Sequence, residues 1–468
     1  MKFKLEHLGL IDHAEIELAD LTLVCGENNT GKTYATWAIY GLLRSWRSLL
    51  KMVLSGQIEK IARTQGAYKF DLHEMFSGKL NDYLDKLSAQ YVTILPRVFA
   101  ANDDFFKETK VRLSFAHERD VTEPSYQRTI KEGPAGKVLA TLTKERGSSI
   151  LEVLVADDAL VDAPFGGLSD FIADAVADIV FAPHLPQTFI ASAERTGAAI
   201  FRKDLDFART RMYQKLGSVD AKELRRNPFL LLESMDAGYA WPVQDNVDFV
   251  RQLEDIDKQT GELAKAHPEL IQAFEAIVGG SYKVVKDKGL FYQPKGAGKP
   301  RLSMTESSSC VRAVLDIGFY LRCRAKAGDL LMIDEPELNL HPKNQRALAR
   351  LIALMVNHGV KVFITTHSDY FVKELNTLIM LAQRTPHTKA VQQTYKYADE
   401  ELIDPAKVRL YTTCIGTDCR NGKGKRAKIN MLKRAEIYPD RGIEVSTFDT
   451  TIDEMNEIQS EILYGGEL

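Results

Sequence analysis

Apolar and polar positions alternate at the start of the chain, through Phe3-Lys4-Leu5 and again through Ala14-Glu15-Ile16-Glu17-Leu18. A period of two predicts a pair of half-buried strands. A third strand, Leu21-Thr22-Leu23-Val24, runs directly into a glycine-rich turn. Beyond Thr33 the apolar positions Trp37, Ile39, Tyr40, Leu42 and Leu43 take up helical spacing, so the first region reads strand, loop, helix. From 50 to 160 the pattern is weaker: a helical stretch precedes the strand-like pieces Lys110-Val111-Arg112-Leu113-Ser114-Phe115 and Leu151-Glu152-Val153-Leu154-Val155. Asp178-Ile179-Val180-Phe181-Ala182-Pro183 and Phe189-Ile190-Ala191-Ser192 read as buried strands, the second followed by Glu194-Arg195-Thr196-Gly197. Residues 203–278 are charged and mostly helical, the pattern of a solvated helical insertion.

The second half is more regular. Strand-like residues from Tyr282 to Tyr292 and a Gly/Pro/Lys loop lead to a serine-rich turn and a long helix from Val311 to Lys326. Asp329-Leu330-Leu331-Met332-Ile333 is a short apolar run of the kind found in a parallel strand covered on both faces. A helix (Lys343 to Asn357), a buried strand (Val360 to Thr365) and a helix (Tyr370 to Leu381) follow. The remainder holds a strand from Val408 to Tyr411, a Gly/Lys-rich loop, a hairpin-like stretch to Val445 and an amphipathic helix from Thr450 to Leu463. This alternation predicts an α/β fold with right-handed crossovers. It divides the chain into 1–50, 51–200, a helical insertion at 201–280, a second core segment at 281–385, and an α/β tail at 386–468.

With 468 residues, 45% hydrophobic and 27% charged, the chain can bury a large core. Its formal net charge of -3 gives no global electrostatic case for nucleic acid or an anionic membrane. Local basic residues do cluster late in the chain, at Arg420, Lys423, Lys425, Arg426, Lys428, Lys433 and Arg434. They read either as a flexible surface loop or as a contact for nucleic acid or a partner protein. The five cysteines are scattered without metal-type spacing, which fits a reduced, cytoplasmic compartment. Charges interrupt the N-terminal apolar residues, and no apolar run approaches the roughly 20 residues that span a bilayer, so no membrane association is expected.

The chemistry-bearing residues fall at the ends of these strands. Gly26-Glu27-Asn28-Asn29-Thr30-Gly31-Lys32-Thr33 satisfies the phosphate-loop pattern GxxxxGK[ST] between a strand and a helix, and Tyr34 continues it. Glycines let backbone N–H groups and the helix N-terminus surround phosphates, Lys32 supplies a point charge, and the Thr33 hydroxyl is placed to ligate magnesium. In Leu330-Leu331-Met332-Ile333-Asp334-Glu335-Pro336-Glu337 an apolar strand ends in adjacent carboxylates. Asp334 is the candidate to hold Mg²⁺ and Glu335 to orient and deprotonate an attacking water, the alternative being two exposed acids capping a helix. His367 ends the next strand, Val362-Phe363-Ile364-Thr365-Thr366-His367, one helix and one strand beyond the acids. It is the candidate phosphate sensor and water-orienting group.

Together these residues resemble the soluble ABC-type ATPases of the SMC, Rad50, RecF and OLD group, over roughly residues 1–45 and 300–380. The resemblance implies an ABC-type P-loop ATPase head with a largely helical insertion, using ATP and Mg²⁺, that completes its site only when two copies meet head to head. In that group a Ser-Gly signature is donated by the opposite copy. Its counterpart here is Ser303-Met304-Thr305-Glu306-Ser307-Ser308-Ser309-Cys310-Val311, with Ser307, Ser308 and Ser309 as the candidate phosphate contacts and Cys310 where many relatives have glycine. An ordinary serine-rich helix cap is the other reading. Asn339 and His341 match the group's dimer-contact loop.

Within the group, Cys25 to Thr33, the acidic strand with Asn-Leu-His-Pro, and Thr365-Thr366-His367-Ser368-Asp369-Tyr370 are similar to bacterial anti-phage ATPases such as AriA of PARIS and PtuA of Septu. That implies a sensor or scaffold subunit, a homodimer or higher homo-oligomer, controlling a separate effector nuclease or toxin and triggered by a phage protein or nucleic acid. The OLD nucleases need an Asp-x-Asp pair after the ATPase, and the sequence after His367 contains none, so cleavage would fall to a partner. A DNA repair or recombination ATPase of RecF or Rad50 type, and a scaffold that binds ATP without turnover, are the alternatives.

Overall fold

The computed structural model describes residues 1–58, 67–131, 136–156, 167–200, 238–286, 289–296, 298–418, 427–443 and 454–462. Strands β1 (Lys2–Leu8) and β2 (Ile11–Glu17) pair antiparallel, with Phe3 opposite Ile16 and Leu5 opposite Ala14. Alternation places Phe3, Leu5, Ala14 and Ile16 on one fully covered face, and Leu8 and Ile11 are buried beyond the irregularity at His7 (φ 51°). Strand β3 (Leu21–Cys25) is buried at every position. Then come β4 (Ala67–Asp71), β5 (Lys110–Ser114), β6 (Tyr126–Lys131), β7 (Val138–Lys144), β8 (Ile150–Val155), β9 (Thr188–Ala191), β10 (Gly280–Val285), β11 (Gly289–Pro294) and β12 (Leu302–Ser303). The series ends with β13 (Leu330–Asp334), β14 (Lys361–Thr366), β15 (Val408–Asp418) and β16 (Ala427–Arg434).

Nine of these form one mixed sheet in the order β5-β1-β2-β16-β15-β3-β14-β13-β9. From β15 to β9 all neighbours run parallel. Successive residues of the parallel strands feed two different cores. Val24, Leu330, Met332 and Phe363 pack on one side, with the helices Lys32–Ile58 and Leu80–Phe99. Leu21, Leu23, Leu331, Ile333, Val362 and Ile364 pack on the other, with Leu315–Cys323, Pro342–Asn357 and Asp369–Leu381. Burial on both faces is what the uninterrupted apolar runs required, at about 1.5–3 kcal/mol for each large side chain. The result is a mixed α/β sheet covered by helices on both faces. A second sheet, β4-β8-β7-β6, and a third, β10-β11-β12, stand beside it.

Several local expectations are corrected. Asp178–Phe181 is not a strand: the helix Leu168–Val176 continues into a π-helical turn, Ala177–Phe181. A short apolar run bounded by proline fits either element, and here Asp178 reaches Arg47 from a helical surface. The helix expected from Val311 to Lys326 is two, Ser309–Ala313 and Leu315–Cys323, broken at Val314. The stretch from Tyr282 to Tyr292 is a hairpin of β10 and β11. Residues after 386, set apart in sequence, supply β15 and β16 to the middle of the main sheet. Residues 201–237 of the helical insertion lie outside the described residues, as do Arg420, Lys423, Lys425 and Arg426 of the basic cluster, while 241–278 is largely helical. Of the C-terminal helix, 454–462 is helical and exposed. Among the described residues no helix is long and apolar enough to cross a membrane.

Candidate active site

Three parallel strands end side by side. Val24 of β3 lies opposite Thr365 of β14, which lies opposite Asp334 of β13. The carboxyl ends of adjacent parallel strands are where an open α/β sheet leaves a crevice. A cleft of about 460 Å³ opens there, lined by Asn28 to Tyr34, Leu10, Glu335 and His367.

The loop after β3 bends through Gly26 (φ 151°) and Gly31 (φ 97°), conformations that favour glycine. A side chain at either position would also collide with a neighbour, Thr413 of β15 beside Gly26 and Ile11 beside Gly31. Lys32 Nζ donates to the carbonyls of Gly26 (2.8 Å) and Glu27 (2.7 Å), so the ammonium is curled inside its own loop. Partial burial lowers its pKa, while the nearby carboxylates of Glu335, Asp334 and Glu337 act in the opposite direction. The helix starting at Lys32 has no acid in its first turn, so its positive end is left unopposed for an anion.

On β13, Asp334 is buried. Its Oδ1 accepts from the Thr365 hydroxyl, and its Oδ2 has no hydrogen-bond partner. Burial pushes the acid up to about 6, against the pull of the Thr365 hydroxyl. The resemblance implies magnesium, and the donors present fit it. An orphaned carboxylate oxygen and the Thr33 hydroxyl on the cleft wall are hard oxygens, and a divalent charge would restore the ionised acid.

Glu335 holds φ at 51°, a left-handed conformation that costs a non-glycine residue about 1–3 kcal/mol. Its neighbours fix it there. The Glu335 N–H donates to Thr365 O at 3.0 Å, and Arg195 Nη2 donates to its carbonyl at 2.8 Å. Arg195 is fully buried and also donates to Ala313 O (2.6 Å), Asp334 O (2.7 Å) and Ser192 O (2.9 Å). One guanidinium therefore ties the acidic turn to the helix after the serine-rich turn. Sequence reading passed over Arg195 because its partners are main-chain carbonyls, which leave no pairing signal.

Glu337 was overlooked too. Its Oε1 accepts from the Thr366 hydroxyl and from the His367 N–H, both at 2.8 Å, and lies 3.3 Å from His367 Nδ1. The same imidazole nitrogen is 3.5 Å from Glu335 Oε1, so Glu337 sets where His367 stands beside Glu335. Next to this cleft a second one of about 310 Å³ shares Thr33 and Tyr34 and is walled by Trp37, Phe99, Phe105 and Phe106. Tyr34 stacks on Phe99 with ring centres 5.4 Å apart.

The structure brings Gly31, Lys32, Thr33, Tyr34, Glu335 and His367 together and does not bring the serines to them. Ser307 is buried and donates to Ser303 O, and Ser308 caps the helix Ser309–Ala313 through Val311 N. Arg312 clamps that turn by donating to Met304 O and Ser307 O. Cys310 Sγ faces inward, 3.7 Å from Asn344 Nδ2. His341 caps the helix Pro342–Asn357, and Asn339 occupies a left-handed turn (φ 58°).

Residues 242–372 match a family model described as an AAA ATPase domain, a span that contains the serine-rich turn, the acidic strand and His367 but not the phosphate loop. No curated protein matches the chain. Among solved structures, the Smc head bound to the C-winged helix domain of ScpA is 13% identical, with a TM-score of 0.32, over 92% of this chain and 97% of that one. The SMC head domain from Thermotoga maritima is 9% identical, with a TM-score of 0.31, over 93% and 98%. The Smc head domain with an extended coiled coil bound to the C-terminal domain of ScpA, derived from Pyrococcus furiosus, is 13% identical, with a TM-score of 0.29, over 98% of each chain.

Proposed function

We propose that this chain binds ATP with magnesium in the cleft, hydrolyses it, and uses that cycle to control a separate effector nuclease or toxin in a bacterial anti-phage defence system. The observation that carries the ATPase reading is the convergence of Lys32, Glu335 and His367 on one cleft at the ends of adjacent parallel strands. On binding, Lys32 exchanges its loop carbonyls for β- and γ-phosphate oxygens while the N–H groups of the loop and helix surround the phosphates. Asp334 and Thr33 would hold magnesium, which would supply positive charge to the phosphates. Glu335 orients the attacking water and accepts its proton. Its pinned main chain keeps the carboxylate at the mouth of the cleft, and His367, set by Glu337, addresses the γ-phosphate. Tyr34 and Phe99 offer a stacking wall for the base.

None of the three serines lines its own cleft, and Ser308 and Ser309 are exposed while Ser307 is buried, which supports completion of the site by Ser308 and Ser309 of a second copy. The defence assignment is supported by the similarity of the motifs around Lys32 and His367 to anti-phage ATPases. Glu335→Gln keeps the shape of the side chain and removes the base. Single-turnover hydrolysis should fall about 100- to 10,000-fold, with ATP retained and copies accumulating as an assembly in light scattering. Equal behaviour of wild type and variant in ATP would leave a scaffold without turnover. Copurification from native cells separates the biological readings: a nuclease or toxin supports defence, and recombination proteins support repair.

A further inference from the structure

A second cluster of ligand-type side chains lies at the far end of the helix Pro342–Asn357. His358 closes that helix, and His267 opens the helix Pro268–Val278, whose first turn carries Glu269. The two imidazoles stack with ring centres 3.6 Å apart, 29° from parallel. Both present a nitrogen to the same carboxylate oxygen: His267 Nδ1 is 3.0 Å and His358 Nε2 is 3.5 Å from Glu269 Oε1. All three ligand atoms lie within 4.8 Å of one another.

The contact with Glu269 accounts for His267 but not for His358. Its Nε2 is buried and has no hydrogen-bond partner, a cost that an imidazole with access to water would not bear. We infer that His267, Glu269 and His358 form a binding site for a divalent transition metal of the zinc class. Two imidazole nitrogens and one carboxylate oxygen suit Zn²⁺, Co²⁺ or Ni²⁺ and are poor partners for magnesium, which demands oxygen. Three protein ligands leave further coordination positions open, and half-exposed Glu269 turns that side of the site toward solvent while His358 Nε2 lies buried behind it. The site is separate from the nucleotide cleft, because the 16-residue helix between them spans about 24 Å. A bound ion would brace the start of one helix against the end of the other.

The test uses the full chain stripped of metal by chelation. Titration with Co²⁺ should give visible ligand-field absorption saturating at one equivalent, and equilibrium dialysis should show one Zn²⁺ retained in the presence of excess Mg²⁺. His267→Ala and His358→Ala should each weaken uptake by at least about 100-fold, the upper range for losing even an outer partner of a metal ligand. Zn²⁺ should raise the unfolding temperature of wild type and leave that of both variants unchanged, with circular dichroism confirming that they fold. Absence of uptake by wild type at 100-fold excess, or the same uptake by wild type and both variants, overturns the assignment.

Discussion

Arg195→Lys should slow ATP hydrolysis while leaving ATP binding intact, although residue 195 does not line the cleft. The arginine fork reaches carbonyls on three segments at once: Ser192, Ala313, and the consecutive Asp334 and Glu335. A lysine ammonium is a compact point charge without the planar fork, so it cannot reproduce bonds to carbonyls on three segments, and a buried carbonyl left unpaired costs about 1–3 kcal/mol of stability. The functional loss follows from the backbone of Glu335. Its left-handed conformation costs about 1–3 kcal/mol, and with the Arg195 bond gone the residue can relax toward the ordinary region; at about 1.4 kcal/mol per tenfold, kcat should fall by about 5- to 150-fold. KM for ATP should stay within about threefold, since the phosphate loop makes no bond to Arg195 and uniform binding is untouched. The assay is steady-state hydrolysis across ATP concentrations, paired with calorimetric ATP binding and a melting curve. A variant that melts earlier but keeps wild-type kcat would refute the positioning role and leave Arg195 as a structural brace. A rise in KM at constant kcat would refute it as well.

Three further outcomes follow from other residues. Asp316 is buried with neither oxygen hydrogen-bonded, and burial pushes its acid up to about 7, against the charge of Arg195. The folded state then holds a proton the unfolded chain has released, so stability falls as pH rises from about 4 to about 7, by on the order of 4 kcal/mol. Denaturant curves should show Asp316→Asn more stable than wild type at pH 8 and nearly equal at pH 4; an advantage that does not change with pH would contradict this. Tyr34→Ala should weaken ATP binding in calorimetry by about 5- to 150-fold, the worth of about 1–3 kcal/mol of base stacking, with little change in kcat at saturation. Lys32→Ala and Ser308→Arg should each be inactive alone. Mixed after subunit exchange they should recover about a quarter of wild-type activity, because half of the dimers are hybrids with one of two sites intact. No recovery on mixing would mean that the serines do not act across the interface.

The parts of the site that could be read from sequence are those whose chemistry demands fixed spacing along one segment. A phosphate loop must pack two glycines, a lysine and a hydroxyl into eight residues, and the candidate water-activating acid follows the strand that carries the candidate metal ligand, so Lys32, Asp334 and Glu335 could be named as candidates without the fold. What holds them was not legible, because it is long-range and runs through main-chain atoms. Thr413 approaches Gly26 only because β15 inserts beside β3, and the short piece from Val408 to Tyr411 gave no hint that the chain's last quarter enters the centre of the sheet. Glu337 looked like one more acid after a proline; its role comes from accepting the His367 N–H across two strands. The same distinction explains the errors of secondary structure. Asp178–Phe181 and most of Val311–Lys326 are buried, which masks their period, and tertiary contacts decide between strand and helix or place a break at Val314. A residue whose function is to fix another residue's backbone leaves no motif, and Arg195 shows the consequence: the group that sets the geometry of the acidic turn stands 139 positions away from Asp334.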